Sequence, residues 1–476
     1  MAALPSISTF SRKFFPHLPE KKSHIFPKNF PTSSRILYFC AQIQKIMADY
    51  KQRIADALLE RKLAGKGAVL IEGPKWCGKT TTAEQHAKSI LYMDDPRNIK
   101  ENLVAADIAP QDLLAGETPR LLDEWQIAPQ LWDAIRFEVD HREGNGQFIL
   151  TGSSVPIDDN EEEGNRKRRH SGTGRFAWLR MRPMALFESG ESNGEISLKT
   201  LFSAPEKIYG RSTLSREDIA FLVCRGGWPA AIDLEPEIAL DQAFDYCDAI
   251  AERDMSRVDK VKRNPDRIRR LMRSYARNQA SQATFETIAA DMAANEPHAL
   301  DTDTISSYVN ALRKLFVVEE SEAWNPNLRS KTAVRTSNTR YFTDPSIGTA
   351  ILQLGPRDLL NDFNTFGLFF ESMAVRDLRT YADALMGKVF HYRDSDKLEC
   401  DAVVHLRNGE YGLVEIKIGG ETLINEGAEA LKTLKNKIDT TKMKQPSFMM
   451  VLVGIGNVAY RRQDGIYVVP IGCLKD

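Results

Sequence analysis

Two stretches of this chain carry side chains whose types and spacing point to chemistry. The first runs Gly73-Pro74-Lys75-Trp76-Cys77-Gly78-Lys79-Thr80-Thr81, a Gly-x-x-x-x-Gly-Lys-Thr phosphate-binding loop. Its glycines let the backbone curl so that successive N–H groups face anionic oxygens, and a following helix N-terminus adds partial positive charge there. The nine residues form the expected ATP cradle, with Lys79 reaching the β- and γ-phosphates and Thr80 offering its hydroxyl to magnesium. Leu121-Leu122-Asp123-Glu124 then reads as a short strand ending in two carboxylates. Asp123 is expected to hold the magnesium through water, and Glu124 to polarise the attacking water. Thr151 and Ser153, at the tip of another apolar strand, either sense the terminal phosphate or close a simple turn. The second stretch lies far downstream. Asp401 sits on one predicted strand and Glu415-Ile416-Lys417 on the next, joined by an Asn408-Gly409 hairpin turn. Val414, Ile416 and Ile418 point one way, so Glu415 and Lys417 present a carboxylate and an amine side by side on the other.

The elements that must position these groups follow from periodicity. An amphipathic helix from Tyr50 to Leu63 leads into a strand through Val69, Leu70 and Ile71, and a helix from Thr81 to Leu91 follows the loop. A second strand is expected at Ile90 to Met93. Pro119 and Arg120 leave the register of the strand before Asp123 open. Past Met184 the pattern turns helical. Ile268, Leu271, Met272 and Tyr275 form one apolar face, with Arg263, Arg267, Arg270 and Arg277 opposing it; residues 251–280 hold ten basic and four acidic side chains. That stripe is either a DNA contact or a solvated face. Thr284 to Phe342 reads as a winged helix-turn-helix. One helix carries Phe285, Ile288 and Met292, and a second, capped by Asp303 or Thr302, carries Ile305, Val309 and Leu312. Val317-Val318 and Arg340 to Phe342 are its expected wing strands, with Trp324 to Pro326 between them. A helix beginning near Gly367 and carrying Glu371 precedes the strands of the second constellation.

Composition bounds the rest. The chain has 476 residues and a net charge of -1, from 64 Lys+Arg against 65 Asp+Glu, so a nucleic-acid footprint must be local. Six scattered cysteines without a C-x-x-C pair suggest reduced thiols in a cytoplasmic protein. No apolar run is long enough for a transmembrane helix, so no membrane partner is expected. Residues 1–46 carry one acidic and seven basic residues with five prolines. They read either as an organellar transit peptide or, the favoured reading, as a disordered, non-native extension upstream of Met47.

The stretch from Tyr50 to about Glu188 resembles one bacterial and archaeal branch of the AAA-type P-loop ATPases. The residues that carry the likeness are the loop itself, Leu-Leu-Asp-Glu-Trp-Gln from 121, Leu-Thr-Gly-Ser-Ser from 150 and Arg-Met-Arg-Pro-Met-Ala-Leu-Phe-Glu-Ser from 180. The resemblance implies an ATPase joined to a C-terminal domain of unknown function. Arg175, after the glycines 172 and 174, and secondly Arg180, read either as an arginine that stabilises transition-state charge in its own subunit or a neighbouring one or as structural ion pairs. Asp…Glu-x-Lys on a hairpin after a helical Glu resembles the PD-(D/E)XK nuclease fold, with Cys400 where that family has proline. That likeness implies Asp401 and Glu415 as metal ligands, Lys417 as catalytic amine and Glu371 as auxiliary acid. The expected architecture is a multidomain α/β chain. It comprises a 47–188 ATPase domain with a P-loop parallel sheet, a helical region at 189–283, a winged helix at 284–345 and a restriction-endonuclease-like domain at 346–476. The expected function is a magnesium-dependent ATPase that drives or gates this last domain on DNA, with a homo-oligomer as a further expectation. The alternative is an ATP-switched regulatory protein without nuclease activity.

Overall fold

The computed structural model describes residues 50–152, 172–258, 261, 263–293, 301–326 and 337–476. The 1–46 extension, Ser153 and the charged run Pro156–Arg169 lie outside the described residues.

Helix α1 (Ile54–Gly65) precedes β1 (Ala68–Glu72), and α2 (Lys79–His86) follows the glycine-rich loop. β2 (Ser89–Tyr92), β3 (Arg120–Asp123), β4 (Phe148–Gly152) and β5 (Phe176–Arg180) complete a parallel sheet of order β2-β3-β4-β1-β5. Both faces are covered, as the near-continuous apolar runs require. Val69, Ile71, Leu121 and Ile149 pack under Leu58, Leu59 and Leu63 of α1. Ala68, Leu70, Leu122 and Leu150 face Leu131, Trp132 and Ile135 of a helix across the sheet. Two expectations change here. α2 stops at His86 rather than Leu91, because the chain must turn at Ala87 to enter β2. Arg120 does begin β3, its guanidinium held by the Leu113 carbonyl and the Ser89 hydroxyl.

Trp228 to Ile351 build a helical core of their own. α3 (Pro265–Arg277) buries Ile268, Leu271, Met272 and Tyr275 as predicted. α4 (Phe285–Ala293) and α5 (Thr302–Lys314) follow, and the cap of α5 is Asp301, whose carboxylate accepts the Thr304 N–H at 2.6 Å, rather than Asp303 or Thr302. The expected wing reduces to isolated antiparallel bridges, Val318 with Phe342 and Ser321 with Thr339. Trp324 is no wing tip. It is buried in the C-terminal core, its backbone N–H donating to the His391 carbonyl.

α6 (Phe363–Ala384) and α7 (Glu421–Lys437) sandwich a seven-stranded sheet. Its strands are β7 (Gly210–Arg211), β8 (Gly387–Arg393), β9 (Glu399–Leu406), β10 (Tyr411–Gly419), β11 (Phe448–Ile455), β12 (Val458–Arg461) and β13 (Tyr467–Pro470), in the order β7-β12-β13-β11-β10-β9-β8. β6 (Ile196–Ser197) pairs with β14 (Leu474–Lys475). The 189–283 stretch is therefore not wholly helical: its early strands join the C-terminal ones, and Ile196, Leu198 and Leu201 enter the C-terminal core.

Candidate nucleotide site and acidic cluster

The glycine-rich loop leaves β1 at its C-terminal end and closes onto α2. Gly73 is fixed by close approach, since a Cβ there would lie 2.1 Å from the Met181 carbonyl oxygen. Gly78 caps α2 in the left-handed region at φ 96°. The buried Lys79 ammonium donates to the Gly73 and Pro74 carbonyls at 3.0 and 2.7 Å. Because β4 lies between β1 and β3, Thr151 comes beside both the loop and Asp123. The Thr80 hydroxyl donates to Asp123 Oδ1 at 2.7 Å, and the Thr151 hydroxyl donates to the same oxygen. Glu124 takes a left-handed backbone at φ 54°, and the Gln126 amide donates to its Oε2. Burial, then the neighbouring Asp123 charge, push the Glu124 carboxyl above its usual range. Lys75 leaves the loop to pair with Asp254 at 2.7 Å, and Trp76 lies against Tyr246, so these two grip the helical region.

Arg175 is not brought to this site. It precedes β5, and its carbonyl accepts the N–H of Ala68, the first residue of β1. It therefore lies at the end of the sheet opposite the loop, paired with Asp140 at 2.8 Å. A transition-state role within its own subunit is ruled out by that placement. Arg180 is at the loop end, in register with Glu72, its guanidinium 4.0 Å over the Phe316 ring.

Sequence reasoning missed Arg53. A cation at the N-terminus of α1 opposes the helix dipole and needs a strong partner, which was the available signal. It is 5% exposed; its Nη1 donates to the Cys77 carbonyl of the loop at 2.8 Å, its Nη2 to the Arg182 carbonyl at 2.8 Å, and Nε lies 3.1 Å from Glu188. A second missed group is the half-buried Glu319. It takes two Arg182 donors at 2.8 and 2.7 Å, while the Arg379 guanidinium donates to its carbonyl at 2.8 Å. Burial favours its neutral form, but Arg182, Arg379 and Arg180 outweigh that and hold the carboxyl far below its usual range.

In the C-terminal sheet the four predicted residues do meet. Asp401 Oδ2 accepts the Ile416 N–H at 2.7 Å and lies 3.3 Å from Lys417 Nζ, which is 2.6 Å from Glu415. Burial and the Asp401 charge push Glu415 up to about 8 and raise Glu371 well above its usual range. The Tyr341 hydroxyl donates to Glu371 at 2.5 Å. The expected metal cage is not what this arrangement provides. Lys417 already bridges both carboxylates and burial raises the Glu371 carboxyl, so a divalent ion at this cluster would have to displace the Lys417 amine. Among the described residues no group of three or more His, Cys, Asp or Glu could hold a metal ion. The basic stripe on α3 is also partly consumed. Arg263 is buried and donates to the Met255 carbonyl, and Arg277 pairs with Asp291.

Residues 65–189 match the family described as an AAA domain. The chain carries an AAA-type P-loop ATPase domain. Residues 216–358 and 366–474 match two further families, each described only as a domain of unknown function. Uncharacterized proteins of Mycobacterium bovis and Mycobacterium tuberculosis are each 23% identical to it over 370 residues, spanning 77% of this chain and 74% of theirs. Among solved structures, a Walker-type ATPase of Pyrococcus abyssi aligns with TM-score 0.39 and 14% identity, over 64% of this chain and 97% of that one. The Holliday junction branch migration motor of Thermotoga maritima aligns with TM-score 0.23 and 16% identity, over 56% and 88%. No helix among the described residues is long and apolar enough to cross a membrane.

Proposed function

We propose that the chain is a magnesium-dependent ATPase whose nucleotide state drives or gates its nuclease-like C-terminal domain on DNA. The observation that carries the ATPase half is the convergence on Asp123, where hydroxyls from the phosphate loop and from the tip of β4 reach one carboxylate oxygen. Thr80 and Asp123 fit magnesium, which when bound supplies charge neutralisation of the phosphates. Lys79, now held by loop carbonyls, is the counter-charge for the β- and γ-phosphates. Glu124 has its Oε2 taken by Gln126, which leaves Oε1 to accept a proton from the attacking water. Thr151 shares Asp123 Oδ1 with Thr80 and so links the loop's partner to the tip of β4, where loss of the terminal phosphate is felt.

The C-terminal half of the reading is supported by the element order α6-β8-β9-β10-α7-β11 and by the meeting of Asp401, Glu415 and Lys417. Gating is supported by a run of buried and half-buried polar groups between the two sites. Glu72 at the end of β1 is in register with Arg180; Arg180 acts on Glu319; Arg379 binds the Glu319 carbonyl and lies 5.4 Å over the Tyr341 ring; and Tyr341 holds Glu371. One observation favours the second reading, an ATP-switched regulator without phosphodiester chemistry: Lys417 neutralises the pair that cleavage would need. ATP hydrolysis measured with and without DNA, beside plasmid nicking in added magnesium, tests the proposal. The expected result is DNA-stimulated hydrolysis and nicking lost in Asp401→Ala and Lys417→Ala. Hydrolysis indifferent to DNA, with the plasmid intact under every metal and nucleotide condition, leaves the switch.

A further inference from the structure

A groove of about 410 Å³ runs between the two sheets, walled by α1 and the edge strand β5 on one side and by β8 and β9 on the other. Lys62, Arg180, Lys388 and Arg407 line it, with Asp383 as the one carboxylate. Asp383 is already engaged by Arg182. Among the described residues Lys62, Lys388 and Arg407 have no ion-pair partner, while Arg180, drawn toward Glu319 and Glu72, keeps a buried Nε without a hydrogen bond. Lys62 and Arg407 repel each other strongly enough that, after burial, the Arg407 charge is the next cause depressing the Lys62 amine. Unpaired cations held together in this way call for an anion from outside. Trp178 on β5 is 44% exposed at this groove, and Phe390 lines the opposite wall. Aromatic faces flanked by cations match the alternating bases and phosphates of an unpaired strand, whose bases are free to stack.

We propose that this groove binds single-stranded nucleic acid, one or two nucleotides lying between Trp178 and the Lys388–Arg407 wall. The inference rests on the DNA-directed reading above only for the choice of polymer. Its position gives it a consequence: Lys62 is on α1, whose Arg53 end holds the phosphate loop, and Arg180 acts on Glu319.

The test is anisotropy of a fluorescent oligothymidine titrated with the full chain at several salt concentrations, with thermal melting to check that each variant is folded. Lys388→Glu with Arg407→Glu is expected to weaken binding at least tenfold and to flatten its salt dependence. Trp178→Ala is expected to weaken it roughly five- to a hundredfold. Wild-type affinity in both variants, or no oligothymidine binding by the wild type, overturns the groove. Thymidine monophosphate competing as well as the oligomer, mole for mole, overturns the strand in favour of a free nucleotide. Groove-dependent binding with an intact plasmid supports the groove while removing cleavage, so the two readings fail separately.

Discussion

Arg53→Ala removes the side chain that ties α1 to the phosphate loop, and its effect can be worked from the contacts. The guanidinium is buried, donates to the Cys77 and Arg182 carbonyls and pairs with Glu188, whose side chain is 2% exposed. Breaking a buried pair from one side costs about 3–5 kcal/mol. Glu188 keeps two other donors, the Ile54 N–H at 2.8 Å and the Ala185 N–H at 2.9 Å, which places the expected loss near the lower end, about 3 kcal/mol. Adding Glu188→Gln should recover little of it, because the amide nitrogen replaces an oxygen that accepts the Ile54 or the Ala185 N–H. The freed Cys77 carbonyl also loosens the loop, so ATP affinity is expected to fall about tenfold, or about 1.4 kcal/mol. Denaturation of the first domain, followed by tryptophan emission and paired with titration of a fluorescent ATP analogue, reads both effects. A single variant within about 1 kcal/mol of wild type that binds ATP normally would refute the tie.

Glu124→Gln is expected to keep ATP binding and lower turnover by about 10²–10⁴-fold, checked by phosphate release; an unchanged rate moves the base elsewhere. Arg175→Ala is expected to leave turnover unchanged at all protein concentrations, and a loss confined to the oligomer would instead make it a finger acting on a neighbour. Glu319 is a carboxyl whose pKa is lowered by folding. Its contribution is present above the ordinary value of 4.5 and is lost as pH falls below it, so Glu319→Gln should remove part of the acid limb of a melting-temperature profile. Glu415 has the opposite sign: raised to about 8, it binds its proton more tightly in the folded state, and its contribution is lost as pH rises from 4.5 through about 8. Glu415→Gln should flatten the profile over that interval.

The parallel sheet and the phosphate loop were legible because each rests on local signals, an apolar run followed by a glycine-rich turn and a helix. β9 and β10 were legible from alternation alone, and Glu415 and Lys417 share the face that the period of two assigns them. What failed was long-range. Nothing near Gly210 announces that it will pair with β12, since a two-residue strand has no period to read. Trp324 looked like a loop residue because its burial depends on a strand more than sixty residues later. Arg175 followed two glycines and so looked mobile, yet only the β1–β5 register reveals which end of the sheet it occupies. The nuclease-like resemblance implies Lys417 as a catalytic amine, and a shared motif cannot tell an amine beside a metal from one that pairs with the carboxylates instead.

That last ambiguity bears on whether the two sites communicate. Gathering the buried Arg379 and the half-buried Arg180 and Arg182 around one glutamate is costly unless every charge is met, and apolar side chains would have joined these domains at less expense. A charge cluster of this kind has discrete arrangements, because moving one guanidinium strands its partners. On the gating reading, a bound triphosphate adds negative charge beyond the end of β1, beside Glu72, whose carboxyl burial already pushes upward against the pull of Arg180. The same arginine helps hold Glu319 ionised, so drawing it toward the phosphates weakens the hold at Glu319, and Arg379 is free to shift over Tyr341. Tyr341 is the donor to Glu371, and Glu371 is coupled by repulsion to Asp401. The nucleotide would thereby change the proton held at Glu371 and, with it, how strongly Lys417 is bound between Asp401 and Glu415. A lysine-neutralised cluster is on this view the resting form of a gated site, and the same geometry in a pure switch would stay neutralised whatever the nucleotide.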